Sequence, residues 1–127
     1  KLRQDPRVMV MERSNIRKVK PEDIETPPSF FAVDCSFISL RRILPPINAL
    51  ITQEAEGLVL IKPQFEAAKS QVEPVGVVHD TAVHESVIHD VLHTADVLGF
   101  QTVDVIPSPI VGPAGNKEFV AYLKRGA

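Results

Sequence analysis

Short apolar runs alternate with polar and proline-rich stretches along this chain, and their spacing predicts strands and helices in turn. Val8–Met11, Phe30–Asp34 and Gly57–Ile61 are compact apolar runs with β-branched or aromatic members. They are too short for helices and are bounded by charged or proline-rich segments, which is typical of buried strands. We therefore predict a strand at each of the three positions.

Leu40–Ile51 repeats its apolar residues at helical spacing. Because Pro45 and Pro46 lack a backbone N–H, they must cap or kink such a helix. We expect this helix to begin near Pro46.

A second and longer stretch of helical spacing extends over Val83–Leu98. Asp80 or Thr81 is suited to be its N-cap, and Gly99 is suited to be its C-cap. The sequence therefore predicts a helix with both ends marked.

The last third of the chain predicts two further strands, Thr102–Ile106 and Glu118–Leu123. The loop between them, PSPIVGPAGN, is rich in proline and glycine and suits a hairpin-like connection. Strands that alternate with helices indicate an α/β fold, with a mostly parallel sheet and an antiparallel closing strand. Ligands of such folds gather where the parallel strands end.

Charge is distributed unevenly, although the formal net charge is only −2. Seven of the 14 Lys and Arg residues lie in the first twenty positions, where the acidic residues are Asp5 and Glu12. This segment permits contact with a polyanion without requiring it. No apolar run approaches the roughly 20 residues of a membrane helix, and a single cysteine excludes an internal disulfide, so we expect a cytoplasmic protein.

Three ionisable residues mark predicted strand ends: Asp34 ends one strand, Lys62 ends another and Glu118 begins a third. We expect all three on one rim of the sheet. Burial lowers the pKa of an amine and neighbouring carboxylates raise it, so a lysine in such a place can be poised for proton transfer. A purely structural role for the three side chains is the alternative.

Other chemistries are less well supported by the sequence. His84-Glu85 is followed by His89, one residue too far for the zinc motif HExxH, and His89 and His93 have no evident third ligand. We therefore expect no bound metal. Cys35 follows an apolar run and is expected to be a small buried hydrophobe rather than a nucleophile.

Four longer segments resemble the TlyA family, often labelled hemolysins, whose members carry an FtsJ-like methyltransferase domain. These segments are AVDCSFISLRRILP, LVLIKPQFEA, VGVVHD and PSPIVGPAGNKEFVAYL. They cover much of the chain in the family's order, which is far more specific than one short motif. The resemblance implies a Rossmann-like methyltransferase fold. It also implies methyl transfer from S-adenosylmethionine to the 2′-hydroxyl of cytidine in ribosomal RNA.

FtsJ-like enzymes use a Lys-Asp-Lys-Glu tetrad, and the resemblance places its Asp on Asp34, its second Lys on Lys62 and its Glu on Glu118. It implies adenine contacts for Asn15 and Ile16, with Asp34 also serving the cofactor. The first Lys, the glycine-rich cofactor turn and an S4-type RNA-binding domain are expected upstream. We therefore expect the chain to be part of a methyltransferase domain and to be inactive alone.

Ribosomal RNA, or a ribosomal subunit, is the partner that the resemblance implies. Four basic residues flank the expected rim and are candidates to contact phosphates: Arg41, Arg42, Lys69 and Lys117. Ordinary solvated surface charge is the alternative for each. Phe37 and Phe65 are candidates to stack on a base or an adenine, unless they complete the core.

Two other function classes compete with an enzyme. A non-catalytic RNA-binding or ribosome-assembly module would keep the fold without the chemistry, but the presence of Asp34, Lys62 and Glu118 favours catalysis. Membrane lysis is the weaker alternative, because the polar face of Val83–Leu98 is acidic and histidine-bearing rather than basic.

Overall fold

A computed structural model describes residues 2–73 and 76–126 of the protein, so Val75 of the VGVVHD segment lies outside the described residues. The strands are β1 (Phe30–Val33), β2 (Glu56–Ile61), β3 (Phe100–Pro107) and β4 (Phe119–Arg125). The α-helices are α1 (Leu40–Asn48), α2 (Pro63–Glu66) and α3 (Thr81–Val97).

The four strands form one sheet in the order β1-β2-β4-β3. β1 and β2 pair in parallel, whereas β4 pairs antiparallel with both β2 and β3. β1, β2 and β3 therefore run in one direction and β4 runs against them. This topology confirms the α/β fold with an antiparallel closing strand, and it brings the end of β2 next to the start of β4.

One face of the sheet is buried by α1 and α3. Alternate residues of β2 and β4, among them Val59, Ile61 and Leu123, are fully buried on that face. The helices complete this core with eight apolar side chains: Leu40, Ile43, Leu44, Ile47, Val83, Val87, Val91 and Ala95. Side chains on the opposite face, such as Phe30 and Leu58, are exposed.

Helix α1 begins at Leu40, so the prediction of a start near Pro46 is wrong. Ser39 is its N-cap and accepts a hydrogen bond from the amide of Arg41. Pro45 and Pro46 lie inside the helix, where each removes one i→i−4 hydrogen bond. Burial of the apolar face offsets that loss, because packing rather than propensity provides most of the stability of a short helix.

Val8–Met11 is not a strand, and its apolar side chains are between 36% and 57% exposed. The apolar run predicted a buried strand, but a strand forms only where a neighbouring backbone completes its hydrogen bonds. Within the described residues, the one strand that pairs with β1 is β2. The segment therefore lies on the surface without regular secondary structure.

The later elements follow the sequence more closely. Helix α3 has Asp80 as its N-cap, through a hydrogen bond from the amide of Ala82, and Gly99 follows it with a φ of +95°. Glycine suits that position because it adopts positive φ without steric cost. β3 and β4 form the expected antiparallel pair.

Candidate active site

Lys62 and Asp34 meet at the carboxyl ends of β1 and β2. Because these strands are parallel neighbours, the residues that follow them lie at one end of the sheet. The Lys62 Nζ atom is 2.6 Å from Asp34 Oδ1 and donates a 3.1 Å hydrogen bond to Ser36 Oγ. The Lys62 side chain is only 11% exposed, whereas that of Asp34 is 70% exposed. A nearly buried amine is thus paired with a carboxylate that solvent can reach.

Proline sets the position of Lys62. Pro63 has no N–H to continue the strand, but it is well suited to the first position of a helix. Lys62 is therefore both the residue that follows β2 and the N-cap of α2. The abrupt change from strand to helix fixes the backbone from which its side chain extends.

Glu118 lies at the same end of the sheet. Phe119 pairs with Ile61, so the residue before β4 lies beside the residue after β2. Glu118 is only 6% exposed, and its Oε2 accepts a 3.0 Å hydrogen bond from Gln64 Nε2. The structure therefore brings all three predicted residues to one rim, with Lys62 held by Asp34 and Glu118 held by α2.

Gly112 makes room for the Glu118 carboxylate. A Cβ atom at position 112 would lie 2.3 Å from Glu118 Oε2 and 2.7 Å from its Cδ. Any residue can adopt the φ of −77° found at Gly112. Glycine is therefore required by the close approach of the Glu118 carboxylate and not by the backbone conformation. The backbone of the 108–118 loop thus forms one wall around Glu118.

Asn116 holds this loop against the segment that precedes α3. Its side chain is 2% exposed, and its Oδ1 accepts a 3.0 Å hydrogen bond from the amide of Val78. Its Nδ2 donates to the carbonyls of Gly76 and Pro113. On its other side, the Val78 carbonyl is 2.7 Å from Nε2 of the buried His84. This network orders the loop that carries Glu118.

Phe37 presents an aromatic ring to solvent at this rim. Its side chain is 89% exposed, and its ring centroid is 4.9 Å from that of Phe65. Its φ is +66°, a conformation that L-residues rarely adopt and that occurs preferentially at functional sites. Because Phe37 follows Ser36, which contacts Lys62, the exposed ring lies close to the lysine–aspartate pair.

Glu66 is a buried carboxylate that the sequence did not single out. Its Oε1 accepts a 2.5 Å hydrogen bond from Ser39 Oγ, and its Oε2 accepts a 2.7 Å hydrogen bond from the amide of Leu40. Burial raises the pKa of Glu66, while these two hydrogen bonds and the charge of Arg41 act against that rise. No periodic signal could have revealed it, because its partners precede it by 26 and 27 residues.

The two other residues predicted to contact the cofactor lie in a surface turn. Asn15 caps the short 3-10 helix Ile16–Lys18 through a hydrogen bond from the amide of Arg17. Ile16 is half-buried against the core and lines an apolar cavity of about 320 Å³ between this segment and α1. Their role toward a cofactor stays a prediction.

A concave apolar surface adjoins Asp34. This cavity, of about 290 Å³, has eight lining residues: Ala32, Val33, Asp34, Leu58, Leu60, Val59, Ser108 and Val120. An exposed carboxylate beside apolar walls suits a ligand that combines a cation with an apolar body. The residues present therefore fit the sulfonium end of S-adenosylmethionine.

The four basic candidates are exposed, and three are close in sequence to the rim. Arg41 is near Glu66, with its Nε atom 4.0 Å from Glu66 Oε1. Lys117 directly precedes Glu118, and Lys69 lies in the turn that follows α2. Arg42 is exposed on α1 without a contact that links it to the site in the described part of the chain.

Cys35 and the histidines, which were considered as a nucleophile and as metal ligands, lie in packed or surface positions. Cys35 is half-buried against the core, and the buried His84 ring packs edge-on to Phe119. His89 and His93 stack on the exposed side of α3. In residues 2–73 and 76–126, no cluster of three potential metal ligands occurs. The same residues include no helix long and apolar enough to cross a membrane.

Comparison with known proteins identifies the family. The model of the FtsJ-like methyltransferases matches residues 1–125. The chain belongs to this family. Within the FtsJ-like methyltransferases it is 42% identical, over 97% of its length, to the 16S/23S rRNA (cytidine-2′-O)-methyltransferase TlyA of Mycobacterium tuberculosis.

Two further similar proteins carry the hemolysin label. Hemolysin A of Brachyspira hyodysenteriae is 34% identical over 96% of the chain. A solved structure of a hemolysin-type protein from Lactococcus lactis superposes with a TM-score of 0.93 at 46% identity, covering 98% of this chain and 60% of that one. This likeness confirms the predicted methyltransferase fold. The chain spans about half the length of the curated relatives, 46% of TlyA and 51% of Hemolysin A.

Proposed function

We propose that this protein, in its complete form, methylates the 2′-hydroxyl of cytidine in ribosomal RNA, using S-adenosylmethionine. The observation that carries the proposal is the nearly buried Lys62 amine, 2.6 Å from Asp34 Oδ1, on a rim that also holds Glu118. Membership of the FtsJ-like family and the likeness to TlyA support the same chemistry. A cytoplasmic location, where ribosomes are found, is part of the proposal.

Lys62 is the proposed catalytic centre. A ribose hydroxyl within hydrogen-bonding reach of its Nζ would be oriented toward the methyl donor, and alignment of the reacting atoms accounts for most of the rate in such a displacement. The new O–C bond forms while the hydroxyl loses its proton, which the Lys62–Asp34 pair takes up. Asp34, 2.6 Å from Nζ, holds the Lys62 side chain in place for this step.

S-adenosylmethionine, when bound, supplies a sulfonium methyl group, which is released as the C–S bond breaks and its electron pair stays on sulfur. We propose that Asp34 lies at the sulfonium end of the cofactor, beside the apolar cavity, and that Asn15 and Ile16 contact its adenine. Glu118, enclosed by Gly112 and held by Gln64, would keep a negative charge at a fixed distance from the lysine.

RNA would approach across the exposed side of the rim. Phe37 offers a ring on which a base can stack, and stacking of this kind adds about 1–3 kcal/mol per base. The four exposed cations named above would contact phosphates, and each neutralised phosphate makes binding more sensitive to salt. Further segments, including the first Lys of the tetrad, the glycine-rich turn and an S4-type domain, are proposed to complete the site, so the chain alone would be inactive.

The proposal is tested by incubating the complete gene product with unmodified ribosomal subunits and methyl-labelled S-adenosylmethionine, followed by digestion of the RNA to nucleosides. We expect the label on 2′-O-methylcytidine. A label on a base would contradict ribose methylation. RNA binding without any label would instead support the non-catalytic module.

A further inference from the structure

The short helix α2 connects the lysine to the rest of the rim. It has a single turn, begins directly after Lys62 and ends at Glu66. The Glu66 side chain is only 3% exposed, so its two carboxylate oxygens are removed from solvent. Both oxygens accept hydrogen bonds from one short stretch of chain, Ser39 and Leu40.

That stretch is the far end of the loop that carries Asp34. The loop extends from Asp34 to Ser39, where α1 begins. At its near end, Asp34 and Ser36 contact the Lys62 Nζ atom. At its far end, Ser39 is held by Glu66, four residues after Lys62. The loop is therefore fastened to the same turn of helix at both ends.

Folding shifts the protonation equilibrium of Glu66 toward its neutral form. Burial raises its pKa, and Asp90 of α3 raises it further, whereas Ser39, the Leu40 amide and Arg41 of α1 lower it. A buried carboxylate with a raised pKa costs stability when it is charged. A residue that lowers stability in its ionised form suggests a contribution to activity rather than to folding alone.

We propose that Glu66 is a positioning residue, which holds the 34–39 loop against α2 and so keeps Asp34 within ion-pairing distance of Lys62. The inference rests on the proposed function for the role of that pair. Protonation of Glu66 removes its negative charge and leaves only one good acceptor for two donors. The loop is then released, and methyl transfer falls on the acidic side of the pH profile.

The coupling itself can be measured without any activity. In ¹H–¹⁵N NMR spectra of the complete gene product, acidification should shift the amide of Leu40 together with those of residues 34–37, all with the titration of Glu66. In Glu66→Gln this common component should be absent. If Leu40 titrates while residues 34–37 do not respond, the hydrogen bond exists but the loop is not held by it, and the proposal is overturned.

The catalytic consequence is read from kcat for methyl transfer as a function of pH. Ser39→Ala removes a hydrogen bond that lowers the pKa of Glu66, so the acidic limb should move to higher pH. Glu66→Gln should remove the part of that limb that Ser39→Ala moves, and it should lower kcat about 10-fold or more, because alignment is lost at all pH values. Glu85→Gln, on the exposed side of α3, is the matched control and should leave the profile unchanged.

If Ser39 and Glu66 only stabilised the fold, Ser39→Ala would lower the melting temperature without moving the pH profile of kcat. Superimposable profiles for Ser39→Ala and wild type would therefore overturn the proposal. Absence of methyl transfer in the wild type would instead refute the proposed function, and the NMR titration would then decide by itself whether Glu66 holds the loop.

Discussion

Gly112 offers a sharp test of the geometry around Glu118. In Gly112→Ala the new Cβ atom would lie 2.3 Å from Glu118 Oε2, whereas ordinary contacts begin at 3.4 Å. The carboxylate must therefore move by about 1.1 Å, the difference between 3.4 Å and 2.3 Å. A misplacement of about 1 Å costs roughly 100-fold in rate, or about 2.7 kcal/mol of activation free energy.

The effect on folding should be smaller. Displacement of Glu118 breaks its hydrogen bond from Gln64, which costs about 1–2 kcal/mol, and alanine recovers part of this by restricting the unfolded chain. A domain with a free energy of unfolding of about 5–15 kcal/mol stays folded after such a loss. A 100-fold fall in rate would therefore report the position of the carboxylate rather than the amount of folded protein.

Single-turnover methyl transfer and thermal unfolding are the two measurements for Gly112→Ala. Gly115→Ala is the matched control, since it adds the same methyl group to the same loop. A Cβ atom at position 115 has no other atom within 4 Å. Its φ of +84° makes alanine unfavourable by about 1 kcal/mol, so it should lose stability but keep its rate. Full activity in folded Gly112→Ala would refute the argument that the position of Glu118 controls the reaction.

Three further predictions follow from single contacts. Asn116→Ala should lower the free energy of unfolding by about 3 kcal/mol, measured by urea denaturation, because the buried Val78 amide loses its acceptor. Phe37→Ala should weaken RNA methylation about 10-fold or more without changing the affinity for S-adenosylmethionine, measured by calorimetry; equal RNA methylation would exclude stacking. Because the folded-state pKa of Glu66 lies above its ordinary 4.5, its contribution to stability is present below pH 4.5 and lost as the pH rises through the raised value. The stability of wild type relative to Glu66→Gln should therefore fall as the pH rises above 4.5.

The sequence predicted elements well where local signals and packing agree. Helix α3 has a clear N-cap and a glycine after its end, and β2 is an apolar run stopped by proline. Predictions from the sequence were wrong where contacts with residues distant in the chain determine the structure. Val8–Met11 has the composition of a strand without a neighbour in the described chain, and the prolines of α1 are tolerated because its apolar face is buried.

The candidate site shows the same division. Asp34, Lys62 and Glu118 could be selected because each marks a strand end, and strand ends converge in this kind of sheet. Gln64 and Glu66 could not, because their partners are 54 and 26–27 residues away and only the folded chain brings them together. A charged residue in a single helical turn has no periodicity that would distinguish it from a solvated one.

The most direct test of the central claim is the rate of methyl transfer to unmodified ribosomal subunits by the complete gene product, comparing wild type with Lys62→Met. Methionine keeps the length of the side chain and removes the amine. Lys124→Met, on an exposed position toward the opposite end of β4, is the matched control. We predict that folded Lys62→Met binds S-adenosylmethionine but loses at least 100-fold in rate, while Lys124→Met retains the wild-type rate. Equal rates for all three proteins would contradict the assignment of Lys62 as the catalytic centre.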